Sequence, residues 1–171
     1  MKLGFALVRI ILGALFVGHG AQKVFGKFGG FGPDGTGQFF ESLGLRPGKE
    51  MAIGAGASEM AGGGLLALGL FTPVASTLLT GVMSTALWTV HREKGPWISD
   101  GGYEYVLANI ATLFVVTEAG PGGLSLDAAR GREQWGAAWA LAALGAGVGG
   151  TYAVLKFADG QPQGAPSADG G

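Results

Sequence analysis

The sequence predicts an all-α, polytopic membrane protein with five membrane-spanning helices. Of its 171 residues, 48% are hydrophobic and only 13% are charged, and the mean hydropathy is +0.38. Soluble domains carry about 25% charged residues, so this composition indicates residence in a bilayer. The apolar residues also fall in long runs separated by Gly, Pro and charged side chains, as expected where each run crosses a bilayer core of about 30 Å.

Charge and cysteine content exclude several functional classes. The formal net charge is −1 and no long basic block is present, so the footprint of a nucleic-acid-binding protein is missing and no nucleic-acid partner is expected. The absence of cysteine excludes disulfides, thiolate nucleophiles and Cys-ligated metal centres. No metal-ligand constellation or phosphate-binding loop occurs in the sequence, so no metal is expected. A redox role would need a cofactor that is held without a covalent bond.

The first span covers Leu3–Phe25 and ends in a polar cluster. His19 and Lys23 are four residues apart and share a helical face, and Gln22 lies beside them. An ionisable side chain inside a membrane is costly unless it finds a partner or water, so His19 is a candidate site residue. For Lys23 the plain alternative is that its long side chain reaches the lipid headgroups.

Residues 27–50 are rich in Gly and are interrupted by Pro33 and Pro47, so they cannot form a span. Within them, residues 38–45 place Phe39, Phe40 and Leu43 along one side of a short amphipathic turn or two. We expect this segment to lie at the membrane surface, over the His19 end of the first span.

The second and third spans are expected at residues 51–71 and 73–90. Thr72 would be the N-cap of the third span, followed by Pro73 in its first turn. Small residues flank Glu59 at helical spacing, so this carboxylate should face protein and not lipid. His91 opens the polar stretch that ends the third span.

The fourth span is expected from residue 103 to residue 117, with Glu104 and Tyr105 at its start. It is short for a bilayer. A polar loop over residues 120–134 follows, and a fifth apolar run covers residues 135–157. This fifth helix lacks intramembrane charge and should pack at the periphery of a bundle made by the first four.

Several segments together resemble the DoxX family of bacterial membrane proteins. The matching segments, in family order, are His19-Gly20-Ala21-Gln22-Lys23-Val24-Phe25-Gly26, Phe40-Glu41-Ser42-Leu43-Gly44-Leu45, Glu59-Met60-Ala61-Gly62-Gly63-Gly64-Leu65-Leu66, His91, Tyr103-Glu104-Tyr105 and Gly120-Pro121-Gly122-Gly123-Leu124-Ser125-Leu126-Asp127. The resemblance implies a four-helix module in the bacterial cytoplasmic (inner) membrane. The best-known namesakes are membrane subunits of thiosulfate:quinone oxidoreductase, so it also implies contact with the lipid bilayer and with other subunits of a redox complex.

The resemblance sets the expected domain organisation. Residues 1–127 form the DoxX-like four-helix module, residues 128–157 add a loop and the fifth helix, and residues 158–171 form a flexible tail poor in apolar side chains. The added part departs from the family pattern and favours a specialised partner.

The resemblance also defines the candidate site, whose polar residues are His19, Gln22, Lys23, Glu59, His91, Glu104 and Tyr105. If the first two spans pack antiparallel, His19 and Glu59 lie at similar depths, about 9 and 12 Å from the same end at 1.5 Å per residue, and form a buried pair. That pair either stabilises the packing or serves as donor and proton acceptor for a quinone head group.

Two readings of function therefore stay open. The chain is a membrane subunit of a quinone-linked oxidoreductase, or it is a non-catalytic structural subunit whose polar core fixes the register of the helices. Axial ligation of a haem by His19 and His91 is a third, less favoured possibility, because His91 lies at a helix end and no second intramembrane histidine supports it.

Overall fold

The computed structural model describes residues 3–162, and all regular secondary structure in that range is helical. The elements are α1 (Leu3–Phe25), α2 (Gly32–Ser42), α3 (Gly48–Leu68), α4 (Thr72–Ala86), α5 (Glu104–Ala119), α6 (Leu126–Ala129) and α7 (Ala137–Asp159). After α4 the chain continues as a π-helix over Leu87–His91 and a 3₁₀ turn over Arg92–Lys94, and a second 3₁₀ turn covers Ile98–Asp100. The predicted all-α membrane fold is confirmed.

Within residues 3–162, four segments are long and apolar enough to cross a membrane: α1, α3, α4 with its extension to Lys94, and α7. The predicted fourth span corresponds to α5, which has 16 residues and is therefore about 24 Å long. Helix α5 packs against α4 and α7. The core joins α1, α3, α4 and α5, and its buried side chains are Leu12, Phe16, Leu66, Ala75, Leu79, Leu113 and Val116.

Helices α1 and α3 pack closely through facing glycines. A Cβ on Gly63 would lie 2.6 Å from the carbonyl oxygen of Gly13, and a Cβ on Gly56 would lie 3.0 Å from that of Gly20. Gly13 thus faces Gly63, and Gly20 faces Gly56, as expected for antiparallel helices. Small residues allow this approach, which gains dispersion contacts where lipid supplies no hydrophobic driving force. These contacts fix the register of α1 on α3.

Arg9 links α1 to the loop that follows α5. Its side chain is 1% exposed. It donates hydrogen bonds to the carbonyl oxygens of Pro121 at 2.9 Å, Ala67 at 2.6 Å and Leu124. A buried guanidinium is tolerated only when its donors are satisfied. The bonds from Arg9 to these carbonyls therefore hold the loop against the N-terminal part of α1. No pattern in the sequence indicates this role of Arg9.

Asp127 caps the start of α4. Its carboxylate accepts hydrogen bonds from the backbone N–H groups of Phe71 at 2.9 Å and Thr72 at 3.0 Å, from the Thr72 hydroxyl at 2.8 Å and from Trp135 Nε1 at 3.1 Å. Burial by itself raises the pKa of Asp127, but the bonds from Thr72, Phe71 and Trp135 outweigh it and lower that pKa. The prediction that Thr72 is the N-cap was wrong. Helix α4 begins at Thr72 itself. The backbone N–H groups at its start donate hydrogen bonds to the carboxylate of Asp127, which is distant in sequence.

Helix α7 packs along α4 and α5. A Cβ on Gly147 would lie 2.7 Å from Thr80 Cβ, and Thr151 donates a hydrogen bond to the Gly81 carbonyl at 3.0 Å. We expected this helix to be peripheral to a bundle of the first four, and in the structure it is bound to α4 by close packing and by a polar contact. It also ends at Asp159, two residues into the predicted tail, and residues 163–171 lie outside the described residues.

Candidate functional site

A partly open cavity of about 650 Å³ lies in the half of the bundle where α1 ends and α3 begins. Helices α1, α2, α3, α4, α5 and α7 all contribute to its wall. We call it the central cavity. Its volume falls within the range of about 300–1,000 Å³ that is usual for small-molecule sites. Most of the wall is apolar, and Leu12 and Phe16 belong both to this wall and to the core.

Five of the seven predicted site residues line this cavity: His19, Lys23, Glu59, His91 and Tyr105. They come from α1, α3, the π-helix after α4, and α5. The structure therefore brings five of the predicted site residues together in one cavity wall. Gln22 and Glu104 are not among the lining residues, and the structure gives each of them a different role.

Glu59 pairs with Lys23. Lys23 Nζ lies 2.7 and 2.9 Å from the two carboxylate oxygens of Glu59, whose side chain is 3% exposed. The expected pairing of Glu59 with His19 was wrong, although the depth estimate behind it was sound. Helical side chains tilt toward the N-terminus of their own helix, so Lys23 and Glu59, which lie on antiparallel helices, lean toward each other.

His19 is held by its own helix and by the following loop. Its Nδ1 lies 3.0 Å from Gln22 Oε1, while Gln22 Nε2 donates to the Phe28 carbonyl at 3.1 Å. Because that carbonyl can only accept, the amide orientation is fixed, and Nδ1 of His19 must carry the proton it donates to Oε1. Gln22 thus sets the tautomer of His19. Phe28 has a φ of 51°, an uncommon value for a residue with a side chain, and the bond from Gln22 holds that loop conformation.

His91 is the last residue of the π-helix Leu87–His91. Its Nδ1 lies 2.6 Å from the Gly101 carbonyl oxygen, so this nitrogen is also the donor. Single-turn π-helices occur often at functional sites, and here the π-helix brings Thr89, Val90 and His91 into the cavity wall. In their neutral forms both histidines keep Nε2 as an acceptor.

The two residues at the start of α5 differ in role. Tyr105 lines the cavity. Glu104 accepts a hydrogen bond from the Ile98 backbone N–H at 2.8 Å, so it orders the 3₁₀ turn before α5 and is not part of the cavity wall. Because the two side chains point about 100° apart on a helix, only one of them can face the cavity.

Other cavity residues were missed by the sequence analysis. Asn109 of α5 and Thr151 of α7 both line the cavity and are buried. The available signal for Thr151 was its polar side chain in a Gly- and Ala-rich helix. It was overlooked because that helix was expected to lie at the periphery of the bundle. Within residues 3–162, no three His, Cys, Asp or Glu side chains are grouped as a metal site would require.

Comparison with known proteins identifies the family. Residues 4–92, slightly more than half of the chain, match the DoxX family. The chain belongs to the DoxX family. The match includes His19, Lys23, Glu59 and His91 and ends before α5, so the expected module boundary at residue 127 stays a prediction.

Two relatives accompany this DoxX match. The protein named "Putative oxidoreductase CatD" from Bacillus subtilis (strain 168) is 34% identical over 106 residues, which cover 62% of this chain and 72% of that protein. An uncharacterized protein from Haemophilus influenzae is 35% identical over 63 residues, 37% of this chain and 42% of that protein. No solved structure matches.

Proposed function

We propose that this DoxX protein is a membrane subunit of a redox-linked complex in the bacterial inner membrane and that the central cavity receives the head group of a quinone. The observation that supports this most is the composition of the cavity. Polar side chains from six helical elements gather in a wall that is otherwise apolar and lies within the membrane-spanning bundle. A ring with two polar oxygens and an apolar tail fits a wall of that kind.

The polar contacts suit a head group that exchanges protons. The histidines each present one imidazole nitrogen, and imidazole is the side chain whose charge changes most readily near neutral pH. Tyr105 adds a hydroxyl group. The printed name of the Bacillus subtilis relative contains the word oxidoreductase, which favours the same class of function. Electrons would be supplied by a partner subunit, which is why we propose a complex.

Filling the cavity tests the proposal. Gly54 lines the cavity and has no atom within 4 Å of the position where a Cβ would stand. Gly54→Leu should therefore occupy the cavity without displacing protein and should abolish binding of decylubiquinone to the protein in lipid nanodiscs. Gly64 on the same helix is equally open but does not line the cavity, so Gly64→Leu is the matched control. Equal binding by both variants would contradict the assignment of the site.

Helix α7 supplies an independent matched pair. Gly150 lines the cavity and Gly149 does not, and neither has an atom within 4 Å of a Cβ position. Gly150→Leu should weaken decylubiquinone binding and Gly149→Leu should leave it unchanged. This result would also establish that the helix beyond the family match forms part of the site.

Turnover in the native assembly tests the redox role. Quinone reduction or quinol oxidation by the purified complex should fall at least tenfold in Glu59→Gln, which removes the negative charge of a cavity carboxylate, and in His19→Ala, which removes an imidazole from the cavity. An exposed control on α5, Thr112→Ala, should leave turnover unchanged. Full turnover in both cavity variants would refute the proposed site.

The second candidate is a non-catalytic structural subunit. It is favoured by one observation: Lys23 and Glu59 satisfy each other within the chain, as a pair that only fixes helix register would. This candidate predicts that Gly54→Leu leaves turnover of the complex intact, while disruption of the Lys23–Glu59 pair causes loss of partner subunits during purification.

A further inference from the structure

The hydrogen-bond donors of the central cavity are largely used within the protein. Nδ1 of His19 donates to Gln22 Oε1, and Nδ1 of His91 donates to the Gly101 carbonyl. In the neutral imidazole the other nitrogen, Nε2, is an acceptor. Both histidines of the cavity are thus held in the tautomer that offers an acceptor to a ligand.

The other polar side chains of the wall follow the same pattern. Lys23 Nζ donates to both oxygens of Glu59 and lies 3.5 Å from the His19 carbonyl, which accounts for its three protons. Four threonines of the wall donate their hydroxyl protons to helix carbonyls and keep only oxygen lone pairs: Thr77 to Pro73, Thr85 to Gly81, Thr89 to Thr85 and Thr151 to Gly81. Glu50 adds a carboxylate.

Few donors remain for a ligand. In the described part of the chain, the hydroxyls of Ser58 and Tyr105 have no hydrogen-bond partner, and Asn109 Nδ2 has a weak contact of 4.0 Å with Met83 Sδ. Acceptors therefore outnumber donors on the cavity wall. A ligand that can only accept would leave most of the wall unpaired, and a desolvated polar group without a partner is costly.

We propose that the central cavity selects the quinol form of its ligand over the quinone form, with the quinol hydroxyls donating to Nε2 of the histidines. This rests on the proposed function and adds the redox state of the ligand. A quinone carbonyl can only accept a hydrogen bond, whereas each quinol hydroxyl donates one and accepts others. Gln22 is a positioning residue in this scheme, because its amide holds His19 in the acceptor tautomer.

Three ligands bound to the unmodified protein in nanodiscs test the proposal without any variant. They are decylubiquinol under anaerobic reducing conditions, decylubiquinone, and the dimethyl ether of decylubiquinol, which has the same ring and tail but no hydroxyl donors. We expect decylubiquinol to bind about tenfold more tightly than either other compound, the ratio that one additional satisfied hydrogen bond gives. Quinone or ether binding as tight as quinol binding would overturn the selection for donors.

The outcomes separate this proposal from the proposed function. Binding of all three compounds with equal affinity, abolished by Gly54→Leu, would leave the quinone-type site standing and would refute the selection of the quinol. Binding of none of them would refute both. Specific binding that favours decylubiquinone would show that donors dominate the wall, contrary to the contacts above.

Paired variants then assign the effect to particular groups. His91→Phe should lower the affinity for decylubiquinol about tenfold and change that for decylubiquinone less than twofold, since it removes an acceptor. Tyr105→Phe removes a hydrogen-bond donor from a side chain that is 49% exposed. It should lower the affinity for decylubiquinone more than the affinity for decylubiquinol. Gln22→Leu should reduce the ratio of the two affinities without abolishing binding, because it frees the tautomer of His19. The same response in Tyr105→Phe and His91→Phe would refute the proposed division of donors and acceptors.

Discussion

Removal of each partner of the Lys23–Glu59 pair should destabilise the protein by different amounts. The Lys23 side chain is 22% exposed and the Glu59 side chain 3% exposed. In Glu59→Gln the ammonium group of Lys23 loses a charged partner but can turn toward water or the headgroups. In Lys23→Met the Glu59 carboxylate stays in the interior, where it either remains charged without a partner or takes up a proton.

The magnitudes follow from this difference in exposure. Loss of one partner of a fully buried pair costs about 3–5 kcal/mol, and we expect Lys23→Met to lie at the lower end of that range. Glu59→Gln keeps the shape of the side chain and strands no carboxylate, so we expect about 1–2 kcal/mol for the loss of charge-assisted hydrogen bonds. The double variant Lys23→Met with Glu59→Leu removes both charges and should cost less than the sum of the two single changes.

The measurement is the free energy of unfolding in mixed micelles, determined by titration with a denaturing detergent under equilibrium conditions. The exposed pair Lys49–Asp34, 2.7 Å apart with side chains 55% and 75% exposed, is the control, and its disruption should leave the free energy of unfolding unchanged within the error of the measurement. If Lys23→Met costs no more than Glu59→Gln, or if the two single changes are additive, the argument from burial is wrong.

Three further predictions concern the packing of the bundle. Arg9→Met should lower the unfolding free energy by about 3 kcal/mol or more, because several loop and helix carbonyls lose their donor, and proteolysis within residues 120–127 should become faster. The lowered pKa of Asp127 means that its contribution to stability is present above its unfolded pKa of about 4 and is lost as pH falls through the lower folded value; Asp127→Asn should abolish that acid-dependent loss in a pH series. Gly63→Ala should cost about 1–3 kcal/mol, because the new Cβ would meet Gly13 O at 2.6 Å, whereas Gly64→Ala, in open space, should be neutral or slightly stabilising. Equal stability of the two alanine variants would contradict the close packing of α1 on α3.

The sequence allowed prediction of whatever depends on local periodicity. Among the described residues, four of the five predicted spans are long apolar helices. The spacing of His19 and Lys23 placed them on one helical face, and the structure shows that both line the cavity. Phe39 and Phe40 were predicted on one side of residues 38–45 at the membrane surface, and they line the cavity as well. These features follow from the geometry of a single helix.

Contacts between distant elements could not be predicted in the same way. Arg9 contacts carbonyls more than 110 residues away, and backbone carbonyls leave no mark in a sequence. Asp127 was visible as part of a family-like segment, but nothing indicated that it would cap a helix that begins 55 residues earlier. Glu59 pairs with Lys23 and not with His19 because of the tilt of the side chains. A comparison of depths along the two helix axes does not include this tilt.

The wall contributed by α7 extends the site beyond the family match. Gly147, Gly150 and Thr151 line the cavity, yet the DoxX match ends at residue 92. The family match therefore does not extend to this wall, so ligand preferences measured on one member should be transferred to another only after this wall has been compared.

The contacts of Arg9 impose an order on the biogenesis of the protein. Helix α1 is synthesised before the other described helices, and the Leu124 carbonyl that Arg9 binds is synthesised 115 residues later, a delay of roughly 6–23 s at a translation rate of about 5–20 residues per second. Gly56 and Gly63 are available much sooner, so α1 can pair with α3 before Arg9 has its full set of acceptors. We expect the guanidinium to stay near water or headgroups during this interval and to be buried only when the loop after α5 arrives. Helix α1 would then be synthesised before the other described helices and yet be among the last to reach its final depth in the membrane.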